Sequence, residues 1–210
     1  MEQLINRVKD VIDVCWDSFS AKVGSGLISI NKEASMQLQF AYLLKSTIDL
    51  TIYNIDESVS IELETSIPVK GKIRVCDIVL KITKGDITFN LPIELKCYRN
   101  ISSSSGKLRG AQDLFKYGVY EDLELIENYC NETTLQGIQL TMTDAINFPY
   151  PKYKKGKSWD YDISNGTNII NGIEINTPIG GKPKNIKLLK SYIFNWKEVG
   201  EFYFIKLEAL

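Results

Sequence analysis

Apolar residues recur along the first fifty positions at the spacing of amphipathic helices. In two segments they return every three or four residues with charged residues between them, which is the period of one helix face. The residues with this spacing are Leu4, Val8, Val11, Ile12, Cys15 and Phe19, then Met36, Phe40, Leu43, Leu44 and Thr47. The pattern predicts helices over about 2–19 and 31–49, separated by the break Gly24-Ser25-Gly26.

The pattern then changes to the period of two that is typical of β-strands. Residues 52–67 alternate between apolar and polar side chains, and this favours a strand with one solvated face. Residues 74–96 contain two apolar runs around the polar turn Thr83-Lys84-Gly85-Asp86. Such a pattern predicts a β-hairpin.

The rest of the chain adds a helix, a strand and a terminal hairpin. A helix is predicted over about 110–129 and a strand over 135–143, and a helix between two strands indicates a parallel neighbour in the sheet. Residues 191–196 and 201–207 are aromatic runs that predict an antiparallel hairpin turning near Gly200. The order of elements predicts an α/β (α+β) fold with a mixed central β-sheet flanked by helices.

Length and composition set the class of protein. The 210 residues, 44% hydrophobic and 24% charged, are enough for one domain spanning residues 1–210 with a core of ordinary size. The formal net charge of −1 gives the whole molecule no strong attraction to nucleic acid, so any such attraction must come from local patches.

Several classes of chemistry are excluded by residues that the chain lacks. There is no histidine, which excludes Ser-His triads and histidine zinc sites. The four cysteines form no C-x-x-C pair. The sequence shows neither a signal-peptide pattern nor an apolar run long enough to span a bilayer, so we expect a cytoplasmic protein with no membrane partner.

The 74–96 hairpin carries the candidate chemistry. Side chains alternate between the two faces of a strand, so Asp77 on the first strand and Glu94 and Lys96 on the second can share the face opposite the apolar one. Two carboxylates beside an ammonium group can bind a hard divalent cation and an anionic substrate. The structural alternative is an amphipathic surface hairpin with ordinary solvated charges.

This arrangement resembles the PD-(D/E)XK nuclease superfamily, whose signature is an Asp on one strand and Glu/Asp-x-Lys on the next. Here these are Asp77 and Glu94-Leu95-Lys96, with sixteen residues between the two carboxylates. The chain departs from the pattern at Cys76, where many members have Pro, and Pro92 indicates a strand start or bulge before Glu94. The resemblance covers about 31–145 and implies a restriction-endonuclease-like core, with 146–210 as a loop-rich extension ending in a hairpin.

The resemblance also implies the roles of the site residues. One or two Mg²⁺ ions, with Mn²⁺ as a substitute, are expected on Asp77, Glu94 and the backbone carbonyl of Leu95. Lys96 would orient or help deprotonate the attacking water and stabilise charge. Glu33, on the upstream helix, is the position from which the family brings a further carboxylate to the metal; its alternative is an acidic first-turn residue that complements the helix dipole.

The helix after the hairpin supplies further candidates. Arg109, Gln112 and Lys116 are spaced to lie on one helix face, near a terminus that favours phosphate. The resemblance gives Gln112 a role in bracing the active site, and Arg109 and Lys116 are candidates for binding nucleic acid. The Ser-rich run 102–106 is predicted to be a loop over the site. The later acidic run of this helix is predicted to be solvated; it consists of Glu121, Asp122, Glu124 and Glu127.

Residues 147–161 form the basic and aromatic cluster of the chain. Lys152, Lys154 and Lys155 interleave with aromatic residues, a combination that suits phosphate contacts and base stacking. The alternative is an exposed loop that its aromatic residues hold against the core.

The sequence therefore predicts a metal-dependent nuclease that hydrolyses phosphodiester bonds, with DNA as the expected partner and a homodimer as a possible assembly. The alternatives are a nuclease-fold module with little or no activity that binds nucleic acid or a protein, and an unrelated α/β interaction protein.

Overall fold

The helices and strands form in the predicted order in the computed structural model, which describes residues 1–102 and 105–210. The predicted loop over the site includes residues 103 and 104, which lie outside the described residues. The helices are α1 (Glu2–Gly24), α2 (Glu33–Thr47) and α3 (Gln112–Tyr129), with short 3₁₀-helices at Ile48–Thr51 and Lys157–Asp160. The strands are β1 (Glu57–Val69), β2 (Lys72–Lys84), β3 (Ile87–Tyr98), β4 (Ile138–Thr143), β5 (Asn168–Ile169), β6 (Ile173–Ile175), β7 (Ile186–Leu188), β8 (Tyr192–Ile193), β9 (Lys197–Val199) and β10 (Phe202–Leu207).

Within the described residues, six strands form one mixed sheet in the order β1-β2-β3-β4-β10-β9. Strands β3 and β4 are parallel, as expected for two strands joined through α3, and the other pairs are antiparallel. The terminal hairpin turns at Gly200 and joins the sheet through β10. Its predicted first strand is misplaced, since Tyr192 and Ile193 pair with β5 outside the main sheet.

Helices cover both faces of the sheet. One hydrophobic cluster joins α1 and α2 to residues such as Ile78 and Leu95, and the other joins α3 to the C-terminal segment. In the parts of the chain that the structure describes, no helix combines the length and hydropathy needed to cross a membrane. The structure thus confirms a mixed α+β architecture with a helix-flanked sheet.

The start of α2 places Glu33 in its first turn. The N-cap is Lys32. The Ser35 hydroxyl accepts the backbone N–H groups of Asn31 and Lys32, the two residues that lead into the helix. These hydrogen bonds hold the residues before α2 against its first turn and so fix the direction in which the helix begins.

Strands β2 and β3 separate at the signature residues. Their ladder ends at Ile78 and Ile93, so Asp77 and Glu94 are the pair that would come next. Beyond this point β2 continues with β1, and β3 continues with β4. The two strands form a fork whose inner corner carries both carboxylates.

At the fork, the side chains of β2 stop alternating regularly between the two faces of the sheet. Ile78 packs towards α1 and α2, but Cys76 packs in the α3 cluster, so the simple alternation predicted across Asp77 is wrong. Glu64, opposite Asp77 on β1, has a φ of 52°, which is unusual for a residue with a side chain. The Gln37 amide donates to the Asp77 carbonyl at 2.8 Å and to Glu64 at 2.7 Å, and it thereby holds the distorted turn of the strand in place.

Glu57 links three parts of the fold and gives a pH-dependent prediction. Its carboxylate accepts the backbone N–H of Tyr53 and the side chains of Arg7, Asn54 and Lys84. The Tyr53 hydrogen bond and the basic partners hold the pKa of Glu57 well below its usual range, although burial opposes the shift. A carboxylate with a lowered pKa stabilises the fold above its unfolded pKa of about 4.3, and this stabilisation is lost as the pH falls towards the folded pKa.

Glu57→Gln is therefore expected to lower the melting temperature at pH 7, with a difference from the wild type that shrinks below about pH 4.5. Thermal unfolding followed by circular dichroism across this range measures the effect. Glu62→Gln is the matched control, since Glu62 pairs with Lys81 on the surface with 40% of its side chain exposed, and exposed pairs contribute little. A difference that stays constant with pH contradicts the role given to the Glu57 carboxylate.

Candidate active site

The two signature carboxyl groups lie together at the corner of the fork. Asp77 and Glu94 lie close enough for each carboxyl group to affect the pKa of the other, and the backbone N–H of Leu95 donates to Oδ2 of Asp77 at 2.7 Å. The Asp77 carboxylate therefore takes an N–H group that the β2–β3 ladder leaves free where it ends. The fork brings the two predicted ligands to one point.

Glu94 is buried among acidic neighbours. Only 5% of the residue is exposed, and the Tyr129 hydroxyl donates to its Oε1 at 2.7 Å. Burial and the nearby carboxylates of Asp122 and Asp77 raise the pKa of Glu94 to about 9. Glu94 is therefore protonated at neutral pH, and it can act as an anionic ligand only after it loses this proton. Burial also raises the pKa of Asp77, against the effect of the Leu95 N–H.

Lys96 lies between two carboxylates rather than free in the cleft. Its Nζ is 3.1 Å from Oδ2 of Asp122 on α3 and 3.8 Å from Oε2 of Glu33 on α2. Burial disfavours the ammonium form, but these two carboxylates outweigh burial and raise the pKa of Lys96. Lys96 is thus a cation at neutral pH.

Asp122 lies outside the set predicted from the sequence. The prediction that it belongs to a solvated acidic face is wrong, because Asp122 is 6% exposed. The Gln139 amide donates to its Oδ2 at 3.2 Å and to the Val119 carbonyl at 3.1 Å. Burial raises the pKa of Asp122 even though Lys96 acts in the opposite direction. The helical period could have indicated this burial, because Asp122 lies three positions after the buried Val119 and four positions before the buried Ile126 and so shares their helix face.

The rest of the acidic run is only partly solvated, which corrects the same prediction. Glu124 accepts the backbone N–H of Lys187 at 3.0 Å. Glu127 accepts the backbone N–H groups of Leu189 and Lys190 at 2.8 and 3.1 Å. These carboxylates hold β7 and the residues that follow it against α3.

Glu33 reaches the site from the first turn of α2. Its Oε2 accepts the backbone N–H of Cys97 at 3.1 Å, across the space between the helix and β3. Burial raises the pKa of Glu33, with Lys96 acting in the opposite direction. Glu33 therefore faces β3 and Lys96, a position that a role in the helix dipole alone does not require.

The donor set suits a hard divalent cation. Asp77 and Glu94 offer carboxyl oxygens close to each other, Glu33 is near enough to Asp77 for that carboxylate to affect its pKa, and oxygen ligands are those that Mg²⁺ and Mn²⁺ prefer. Over residues 1–102 and 105–210, no three Asp, Glu, Cys or His side chains converge into a complete metal-binding cluster. The residues thus fit a site of two carboxylates completed by water or substrate oxygens, as is usual for Mg²⁺.

A cleft of about 450 Å³ opens beside Lys96. Glu33 and Lys96 line it with Arg109, whose guanidinium lies 5.3 Å from the centre of the Tyr98 ring. Gly118 of α3 faces the Lys96 chain, where a Cβ atom would lie 3.6 Å from Cε of Lys96. The predicted cation Arg109 therefore joins Lys96 at this cleft.

Gln112 and Lys116 are separate from the carboxylate pair. Gln112 begins α3, and its side-chain oxygen accepts the Asn147 amide at 2.8 Å, a contact to the neighbouring loop. Lys116 is 3% exposed, with Nζ 3.0 Å from Oγ of Ser158 and 3.7 Å from the centre of the Trp159 ring. Burial lowers the pKa of Lys116 to about 8. The ammonium group of Lys116 thus lies against Ser158 and Trp159, and its binding of nucleic acid stays a prediction.

The basic and aromatic segment has features of both interpretations of its sequence, the nucleic-acid-binding segment and the loop held against the core. Trp159 packs on Lys116 and holds the segment to α3. Lys152 and Lys155 are exposed, whereas Lys154 forms an ion pair with Asp162 at 2.6 Å. The segment is thus a loop held by an aromatic residue that still presents lysines to solvent.

The fork therefore brings together two electrostatically coupled carboxyl groups, a paired lysine and a further glutamate, next to a cleft with an exposed arginine. The chain matches no protein-family model, no curated protein and no solved structure.

Proposed function

We propose that this protein is a metal-dependent nuclease that hydrolyses phosphodiester bonds of DNA, with its site in a restriction-endonuclease-like core. The observation that carries the proposal is the convergence of Asp77 and Glu94 where β2 and β3 separate. A surface hairpin with solvated charges would leave these carboxyl groups exposed and apart. Burying two carboxyl groups together is costly, and a cation-binding role explains why the fold does so.

Asp77 and Glu94 would hold the metal, with Glu33 close enough to bind it directly or through water. A bound divalent cation supplies Lewis acidity, lowering the pKa of water and offsetting charge on the phosphate. Glu33 also accepts the Cys97 N–H, so its carboxylate is held in place relative to β3. The chain's part in this chemistry is to hold oxygen donors in a fixed arrangement.

Lys96 would stabilise negative charge on the substrate rather than accept a proton. Its flanking carboxylates raise its pKa, and a lysine that stays charged cannot serve as a general base. The contact with Asp122 at 3.1 Å fixes the ammonium group beside the cleft. Lys96 is therefore assigned electrostatic stabilisation and orientation of the attacking water.

One set of observations favours a second function, that of a nuclease-fold module that binds nucleic acid without cutting it. Burial and the neighbouring carboxylates of Asp122 and Asp77 raise the pKa of Glu94, and Lys96 is already paired with Asp122. Each feature would limit hydrolysis without preventing binding to the exposed cations.

The test incubates the purified protein with labelled single-stranded DNA, duplex DNA and RNA, with Mg²⁺ or Mn²⁺ and in parallel with EDTA. We expect DNA cleavage with either metal and none with EDTA. Calorimetry with Mn²⁺ alone measures metal binding independently of the substrate. Absence of cleavage on every substrate, together with retained DNA binding, would favour the binding module; absence of metal binding as well would contradict the nuclease.

A further inference from the structure

We propose that Lys184 contacts a backbone phosphate of the nucleic acid and so extends the cleft beside Lys96 into the C-terminal segment. The inference rests on the proposed function, because it places the substrate beside Lys96. Lys184 lies just before β7, in a long Gly- and Pro-rich stretch to which the sequence assigns no chemistry. In the folded chain it lines the same cleft as Glu33, Lys96 and Arg109.

The hairpin of β6 and β7 fixes the position of Lys184. Ile175, Ile186 and Leu188 are buried in the cluster beneath α3, and the strands pair in register from Ile173–Leu188 to Ile175–Ile186. The Lys187 N–H donates to Glu124 at 3.0 Å. Lys184 is therefore attached to a packed element two residues before its first buried side chain.

The charge of Lys184 is available to a ligand. Its Nζ lies 4.5 Å from the centre of the Tyr117 ring, a cation–π contact that positions the ammonium without neutralising it. Within the described part of the chain, no carboxylate lies within ion-pairing distance of Lys184. Arg109 likewise has no such carboxylate partner there.

The charged groups of the cleft favour an anion at its mouth. Its cations are Lys96, Arg109 and Lys184, and its acidic residues are Glu33 and Glu121. Glu33 faces Lys96, and Glu121 accepts the Tyr117 hydroxyl at 3.2 Å. Arg109 and Lys184 are thus the two cations of the cleft that can bind a polyanion.

The nature of the lining selects a sugar–phosphate backbone rather than a base. Tyr117 is only 7% exposed, and Phe115 is equally buried, so these rings cannot stack on a base as exposed aromatic residues do. Contacts from lysine and arginine to phosphates position a strand without reading its sequence. Lys184 is therefore a substrate-positioning residue for the strand that passes Lys96.

The test compares Lys184→Ala with the wild type in DNA binding at a series of salt concentrations. Binding of a fluorescein-labelled duplex is followed by anisotropy in EDTA, where the proposed hydrolysis cannot proceed. Loss of one phosphate contact is expected to reduce the slope of log K against log salt by about 0.9. In Mg²⁺ we expect a higher KM with kcat little changed, since a contact made equally in ground and transition states affects binding alone.

Lys182→Ala is the matched control, because Lys182 carries the same charge in the same loop and does not line the cleft. We expect its salt slope to equal that of the wild type. An unchanged slope for Lys184→Ala, or an equal reduction in both variants, overturns the inference even if the protein cleaves DNA. A reduced slope for Lys184→Ala alone in a protein that never cleaves supports the contact and contradicts the nuclease.

Discussion

Asp77→Asn is expected to lower Mg²⁺-dependent DNA cleavage by roughly three orders of magnitude while the protein stays folded. A bound metal contributes several kcal/mol of charge stabilisation, and each 1.4 kcal/mol or so is a factor of about ten in rate. The amide is nearly isosteric with the carboxyl group but carries no charge. Its oxygen can still accept the Leu95 N–H that Asp77 accepts at 2.7 Å, so the end of the ladder keeps its hydrogen bond.

Steady-state kinetics measure the loss of cleavage, and circular dichroism shows whether the variant stays folded. A ligand that binds only the native state raises its melting temperature, so Mg²⁺ should stabilise the wild type and should stabilise Asp77→Asn much less. Asp86→Asn, in the exposed turn between β2 and β3, is the control for the loss of one negative charge, and it should cleave at the wild-type rate. Undiminished cleavage by Asp77→Asn would remove the carboxylate pair from the mechanism.

The hairpin signature could be predicted because its information is local. The alternation of side chains in residues 78–93 and a turn containing Gly85 set a register that ends at Ile78 and Ile93, so that Asp77 and Glu94 follow as the next two positions. The periodicity of α1 and α2 likewise predicted most of their buried residues. These features depend on residues close in sequence, for which pattern is a reliable guide.

The surroundings of the signature depend on contacts distant in sequence. Asp122 meets Lys96 only because α3 crosses back over the sheet, and charge patterning alone assigned it to solvent. The left-handed conformation of Glu64 and the break in side-chain alternation at Cys76 follow no sequence rule for strands. Lys184 enters the cleft through a short hairpin that packs on α3, and its strands are too short to show periodicity.

The burial of the acidic groups follows from the layered fold. The face of the sheet beneath α3 carries Glu94 and Lys96 on β3 and Gln139 and Thr141 on β4, in register. Gln139 Oε1 and Thr141 Oγ1 are buried without a hydrogen-bond partner among the described residues. Buried polar groups are costly when they are not fully satisfied. This polar layer therefore makes the fold less stable than an apolar core in the same place would, and such local losses of stability are typical of functional sites.

Lys96→Met is expected to destabilise the protein by about 3 kcal/mol as well as to abolish cleavage, because it leaves the buried Asp122 carboxylate without its cation. The unpaired Asp122 can regain neutrality only by binding a proton, and burial already raises its pKa. A carboxyl group whose folded pKa lies above its unfolded value destabilises the fold increasingly as the pH rises above that unfolded value. The loss of stability in Lys96→Met should therefore be larger at pH 8 than at pH 5 in urea unfolding experiments.

The double variant Lys96→Met/Asp122→Asn separates the structural role of the pair from its catalytic role. Removing both charges should restore most of the lost stability and its pH dependence, because a pair replaced by neutral groups leaves no isolated charge. Cleavage should stay abolished, since the ammonium group beside the cleft is still missing. Asp122→Asn alone should keep part of the activity, because Lys96 remains near Glu33 and the amide oxygen can still accept from it. Recovery of cleavage in the double variant would show that Lys96 serves only to neutralise Asp122, and its assignment to the chemical step would then be wrong.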